Sequence, residues 1–299
     1  MSFVGIVTHG GAGSPKEWQD GCINSADIGM QRLLENRSAY DAVLESVALL
    51  ENDGRFNAGC GSSYRLDGKT IEMDAAIMSS DGRLGAVACI TGVKNPVLVA
   101  SEVAHSPHHI LTGQGAVLFA RKRGFGEYYP DIQWAKERHA KLMETFSKKK
   151  GDLTREWGVH DFEENWNFET ASSEIFPMDT VGAVAKDKKG IFAAAVSTGG
   201  SGAMLKGRVG DTPLIGSGFF AGPYGAVACT GIGEEIMKKL LAKIVYDWLA
   251  QGTAPEVACE KGVHLFSKTV PIGVIAVSSE GAGFFSNTGM AAAVLERRD

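Results

Sequence analysis

The residues able to do chemistry by type and spacing lie past mid-chain, in four short stretches. The first is Met178-Asp179-Thr180-Val181-Gly182-Ala183-Val184-Ala185. Apolar runs over 181–185 and 191–196 are split by Lys186-Asp187-Lys188-Lys189-Gly190, the pattern of a β-hairpin. Thr180 is thus a hydroxyl at the first position of a buried strand, directly behind a polar, acidic segment over 151–177. Threonine is common in strands, and taken alone this one would be structural. The second stretch is Ser197-Thr198-Gly199-Gly200. In the third, Gly207-Arg208-Val209-Gly210-Asp211-Thr212-Pro213, Arg208 and Asp211 stand three apart in a Gly-flanked loop. As a surface ion pair they would be worth little. As a clamp they would hold an amino acid, Arg208 taking the α-carboxylate bidentately and Asp211 the α-ammonium. Such a clamp fits an aspartyl unit with both α-groups free and joined through its side-chain carbonyl. It excludes an aspartate inside a polypeptide. The fourth stretch, Thr230-Gly231-Ile232-Gly233-Glu234, ends a strand and opens a helix, where exposed backbone N–H groups are expected. There the Gly231 N–H and the Thr230 hydroxyl could stabilise a carbonyl oxygen that gains charge. Gly233 would leave room for the substrate.

In this order, the four stretches resemble the plant-type L-asparaginase and isoaspartyl peptidase family of Ntn hydrolases, whose nucleophile heads a chain released by cleavage. The resemblance runs from His9 nearly to the C-terminus. It implies an α+β fold, the αββα four-layer sandwich with antiparallel central sheets. It implies one domain over 1–299, processed into an α subunit, 1–179, and a β subunit, 180–299. The cleaved protomers are expected to pair as a homodimer. The resemblance makes Thr180 the nucleophile, with Thr198 orienting it and Asn57 contacting it. In the family, a loop matching Arg55-Phe56-Asn57-Ala58-Gly59-Cys60-Gly61-Ser62 wraps a sodium ion with backbone carbonyls. By position these belong to Leu50, Glu51, Asp53, Phe56, Ala58 and Cys60. No other cofactor is implied.

One residue departs from the pattern. Plant-type asparaginases usually carry Gly before the nucleophile; this chain has Asp179, as do glycosylasparaginases and taspase-like proteases. Those two branches stay open as alternatives. Asp211 stands where taspase has Gln, and His9-Gly10-Gly11-Ala12-Gly13 looks asparaginase-like. A non-enzymatic binding module would show neither self-cleavage nor release of ammonia.

A threonine hydroxyl is a poor nucleophile at neutral pH and needs a base. Once Thr180 heads a chain, its own α-amine, titrating near ~7.7–8.0, is neutral often enough to serve. No Ser-His-Asp arrangement is then required, and His9, His105, His108, His109, His139, His160 and His264 show none. The usual route to the free amine in this class is attack by the Thr hydroxyl on the preceding carbonyl, then hydrolysis of the ester. A polar segment before Thr180 suits an accessible cut site.

The elements that must position these groups follow from pattern. A buried strand over 3–8 leads into His9-Gly10-Gly11-Ala12-Gly13, and Ser14, Pro15 and Glu17 fit a helix start with a capping box. The glycine spacing is neither G-x-G-x-x-G nor a P-loop, which argues against nucleotide binding. A second helix starts at Ser38, with Asp41 as box partner and Ala42, Val43, Val47 and Leu50 on one face. Further strands are expected over 70–78, 84–91, 214–219, 226–230, 272–278 and 283–287. Helices are expected over 114–123, 132–150, 234–251 and 254–266, with another beginning at Asn95-Pro96. Strands grouped in runs, with helices between the runs, suggest antiparallel sheets with helices outside. The composition of 151–177, with Trp157 and Trp166, suggests partial disorder.

Composition narrows the class. With a net charge of −5 and no dense basic tract beyond Lys148-Lys149-Lys150, nucleic acid is not an expected partner. The 5 cysteines, an odd number without regular spacing, argue against a disulfide framework or zinc site. The start, Met1-Ser2-Phe3-Val4-Gly5-Ile6-Val7, lacks the marks of a signal peptide, and no apolar run reaches spanning length. The expected location is the cytoplasm, with no membrane partner, and the expected partner is a small-molecule substrate such as asparagine or a β-aspartyl peptide.

Purified protein should cut itself between Asp179 and Thr180 on incubation. Intact mass should report fragments 1–179 and 180–299, and sequencing of the second should begin Thr-Val-Gly. Thr180→Ala should abolish both cleavage and activity. A chain that stays whole, or is cut elsewhere, counts against the assignment.

Overall fold

The computed structural model describes residues 3–65, 67–131, 133, 135–137, 139–140, 180–201 and 204–298. Most of the helix expected over 132–150, the segment 151–177 and Asp179 lie outside them.

Two sheets stack face to face. The larger has seven strands in the order β11-β1-β5-β6-β2-β3-β4. These are β1 (Phe3–Ala12), β2 (Met73–Ser79), β3 (Leu84–Ile90), β4 (Ile110–Thr112), β5 (Val181–Lys186), β6 (Phe192–Thr198) and β11 (Met290–Arg298). The smaller runs β10-β9-β8-β7, from β7 (Phe219–Gly222), β8 (Gly225–Gly231), β9 (Ile272–Ser278) and β10 (Gly281–Ser286). Every pairing is antiparallel except β3 with β4, one departure from the all-antiparallel expectation.

Period-two alternation sorts the side chains. Val7, Val184, Ala194 and Val196 of the large sheet pack against Ala226, Ala228 and Ile275 of the small one. The opposite face of the large sheet, with Ile6, Ala183 and Ala195, meets the helices α1 (Gln19–Leu34), α2 (Ala39–Asn52), α3 (Pro96–Val103) and α4 (Gly113–Lys122). The outer face of the small sheet, with Val227, Cys229 and Val274, meets α5 (Gly233–Lys239), α6 (Leu241–Ala250) and α7 (Pro255–Val263). Helix, sheet, sheet, helix: this is the αββα sandwich. The five cysteines are free thiols, four of them buried. Among the described residues no helix is long and apolar enough to cross a membrane.

Local signals explain most element ends. Ser38 and Asp41 close a reciprocal capping box at the start of α2. Asp187, in the β5–β6 turn, adds a second cap by accepting the Ala39 N–H at 3.1 Å. The hairpin that carries Thr180 is therefore fastened to the helix behind it.

Four expectations need correction. Ser14 caps no helix: its hydroxyl donates to the Gly11 carbonyl and accepts the Ala291 N–H, joining β1 to β11. The helix expected over 234–251 is two helices, because Leu240 takes a left-handed conformation (φ 53°) between them. The strand expected over 214–219 is a turn, since Gly216 has φ +79° and the Leu214 and Gly218 N–H groups both donate to the Asp211 carbonyl. Finally, β11 pairs along most of β1 yet has no counterpart in the sequence reading.

Ser38→Ala should lower unfolding free energy by ~1 kcal/mol, the usual cost of losing such a cap. Urea titration should show an earlier midpoint with an unchanged slope. An unchanged midpoint would mean that Asp187 alone holds the helix start.

Candidate active site

Thr180 and Thr198 stand side by side on the large sheet, and Thr230 lies on the small one. Val181 pairs with Ser197, so Thr180 and Thr198 stand one step further along neighbouring strands. Thr180 is in phase with Val184, Thr198 with Val196, and Thr230 with Ala228, all of which face the gap between the sheets. Thr180, Thr198, Arg208, Asp211, Gly231 and Gly233 line one cleft.

The clamp loop is held from below. Arg65, fully buried, pairs with Glu72 (Nε to Oε2, 3.2 Å) and donates to the Gly199 carbonyl at 2.9 Å. Glu72 also accepts the Gly207 N–H at 2.8 Å. The residue after Thr198 and the residue before Arg208 thus hang on one ion pair. Neither Arg65 nor Glu72 was found by sequence reasoning. The available signal was Glu72-Met73-Asp74, two carboxylates at alternate positions entering a strand that is otherwise apolar.

Arg208 does not pair with Asp211. Its Nε and Nη2 donate to the two carboxylate oxygens of Glu234, at 2.7 and 2.6 Å. Burial pushes the Glu234 carboxyl up, but the hydrogen bonds and charge of Arg208 outweigh it and hold the group below its usual value. Glu234 closes the fourth motif, yet sequence reading gave it no role.

Asp211 is 4 % exposed, and its Oδ2 has no hydrogen-bond partner among the described residues. Burial raises its carboxyl to about 7, against the pull of Arg208. A buried acceptor without a donor is costly, and here it lies in the wall of the cleft. It suits a ligand that brings N–H groups and positive charge. Asp74 is likewise buried with Oδ2 unpartnered, and burial raises its carboxyl too. A Cβ on Gly233 would stand 2.9 Å from Asp211 Oδ1 and 3.0 Å from Arg208 Nη2. Only glycine leaves both groups open to the cleft.

The remaining site residues are second in line. Thr230 is fully buried, and its hydroxyl accepts the Ala12 N–H at 3.1 Å, which leaves its own hydrogen to donate. Gly231 has φ +137°, a conformation that favours glycine. The Asn57 amide donates to the Gly200 carbonyl and accepts from Ser63, so it grips the turn that follows Thr198. His9 is wholly buried beside Gly182, and burial lowers its pKa to about 3, so it is neutral.

The loop expected to wrap a cation is a run of tight backbone turns. Leu50, Asp53, Phe56 and Ala58 each give their oxygen to one backbone N–H within the segment, which leaves a second lone pair on each. A Cβ on Gly61 would run into the Phe56 oxygen and reach within 2.7 Å of the Gly54 oxygen. Only glycine fits where the turn brings these backbone oxygens so close.

A family model described as asparaginase matches residues 2–299. The chain belongs to the asparaginase family. Among curated relatives, the plant-type L-asparaginase of Pyrococcus furiosus is 40 % identical, over 96 % of this chain and 94 % of its own. That of Thermococcus kodakarensis is also 40 % identical, with the same coverage. The human isoaspartyl peptidase/L-asparaginase is 37 % identical, over 92 % of this chain and 87 % of its own. This cleft gathers Thr180 and Thr198, the strand-to-helix junction at Gly231 and the charged side chains of Arg208 and Asp211.

Asp211 also ties stability to pH. An unfolded aspartate titrates near ~3.9, while the folded one is raised to about 7. Between those values the native chain holds more protons than the unfolded one, so this group makes stability fall as pH rises. Asp211→Asn should therefore raise the Tm at about pH 8, though it removes the proposed ammonium acceptor. A lower Tm for the variant would show that the carboxylate is compensated in the free enzyme.

Proposed function

We propose that this protein hydrolyses the side-chain amide of L-asparagine and the isopeptide bond of β-aspartyl peptides. The observation that carries this reading is the cleft itself. Thr180 and Thr198 share it with Arg208 and with an Asp211 oxygen that has no donor among the described residues. The names of the relatives, L-asparaginase and isoaspartyl peptidase, point the same way.

In this scheme the substrate α-ammonium sits on Asp211 and its α-carboxylate on Arg208. Autocatalytic cleavage before Thr180 frees the α-amine, which takes the hydroxyl proton as Oγ1 attacks the amide carbon. The carbonyl oxygen, now negative, is met by the Thr230 hydroxyl and the Gly231 N–H. Ammonia or the peptide amine leaves with the proton. Water, activated by the same amine, then hydrolyses the ester and releases aspartate. Thr198, whose hydroxyl accepts the Gly200 N–H at 3.0 Å, orients the nucleophile. A sodium ion on the carbonyls of Leu50, Glu51, Asp53, Phe56, Ala58 and Cys60 would stiffen the loop that carries Asn57. We place the enzyme in the cytoplasm as a homodimer of cleaved protomers.

Arg208→Ala should cut kcat/KM for L-asparagine roughly 30- to several-thousand-fold, the ~2–5 kcal/mol of a lost charged partner. Self-cleavage should persist, since the peptide at 179–180 offers no free α-groups. Arg208→Lys should also be poor. An N-acetylated β-aspartyl substrate should turn over far more slowly than β-aspartyl-leucine. Equal rates on the blocked substrate, or efficient cutting after an internal aspartate, would overturn the clamp.

A further inference from the structure

A guanidinium offers two forks, the side edge of Nε with Nη2 and the end edge of Nη1 with Nη2. In Arg208 the side edge is taken by Glu234, through parallel bonds of 2.7 and 2.6 Å. The end edge is turned toward two glycines of the cleft. A Cβ on Gly210 would stand 2.8 Å from Nη1, and one on Gly233 would stand 3.0 Å from Nη2. Glu234 lies in the first turn of α5, where backbone N–H groups favour a negative side chain. Its side chain is 42 % exposed against 18 % for Arg208. The carboxylate therefore approaches from the solvent side, and the arginine reaches inward from it.

Resting on the activity proposed above, we infer that Glu234 is a positioning residue for substrate recognition. It fixes Arg208 by the side edge and so presents the end edge to the substrate α-carboxylate. Without it the guanidinium loses the two parallel bonds that set its plane. Glu234 touches no reacting atom, so its loss should appear in binding and not in bond-making. The carboxylates of the cleft are not equivalent: Glu234 holds the arginine, while Asp211 waits for the ammonium.

The test is a double-mutant cycle on the processed enzyme. Glu234→Gln keeps the shape of the side chain and removes its charge. It should raise KM for L-asparagine roughly tenfold to a hundredfold, the scale of a lost charge-assisted hydrogen bond, with kcat changed little. Inhibition by L-aspartate should weaken by the same factor. Glu234→Asp, which keeps the charge on a shorter arm, should recover part of the loss. In an Arg208→Ala background, Glu234→Gln should add nothing further. An unchanged KM overturns the inference, and so does a lowered one, which would mean that Glu234 merely competes with substrate. Additive losses with Arg208→Ala overturn it as well. If Glu234→Gln folds poorly, Glu234→Asp carries the same cycle. A wild-type enzyme that hydrolyses neither L-asparagine nor β-aspartyl dipeptides fails the activity reading instead. Calorimetric titration with L-aspartate then still reads Glu234 separately.

Discussion

Arg65 and Glu72 are opposite charges held almost out of reach of water, and the cleft hangs on them. Burial pulls the arginine pKa down, while Asp74 and Glu72 oppose that fall. Burying such a pair costs several kcal/mol per ion by desolvation, and the mutual attraction recovers it only with good geometry and further hydrogen bonds. Those further bonds are where the pair acts. The guanidinium also binds the Glu72 and Gly199 carbonyls, and the carboxylate also binds the Gly207 N–H. A hydrophobic pair could fill the same space, but it could not hold the backbone beside Thr198 and beside Arg208 in one frame. The charges serve placement more than stability.

Above that frame the cleft is electrostatically unfinished. Glu234 and Arg208 satisfy one another, whereas Asp211 and Asp74 each keep an oxygen without a donor among the described residues. The two sheets beside the site meet through many small side chains. Of the layer between them, Ala76, Ala86, Ala194, Ala226, Ala228 and Ala292 are all alanine. Small side chains let the two sheets approach closely, and close-packed sheets resist collapse into a half-satisfied polar site.

Much of this was legible in the sequence, for reasons that differ by residue. Thr180, Thr198, Arg208, Asp211 and Gly233 sit in short glycine-bounded motifs, where local chain geometry decides what a side chain can reach. The capping box at Ser38 and Asp41 is likewise local. What stayed hidden depends on long-range contact. Arg65 and Glu72 read as ordinary charged residues until the sheet brings Gly199 and Gly207 beside them. Glu234 reads as a helix-start acid until Arg208 arrives from 26 positions upstream. β11 was missed because its partner lies at the other end of the chain. Leu240 looked like one more residue of a continuous apolar helix, and only its left-handed backbone reveals the break.

The order of the large sheet has a mechanical meaning. Reading across it, β11 follows residue 180 in the chain, β1 precedes it, β5 and β6 follow it, and β2, β3 and β4 precede it. The two sides of the chain are dovetailed, strand against strand, along three separate ladders: β11 on β1, β1 on β5, and β6 on β2. A nick before Thr180 would cut one covalent link and none of these seams. The two pieces would stay a single elastic body, unable to part without unzipping the sheet that holds Thr180. The fold can thus trade a peptide bond for a new chain end without giving up its shape.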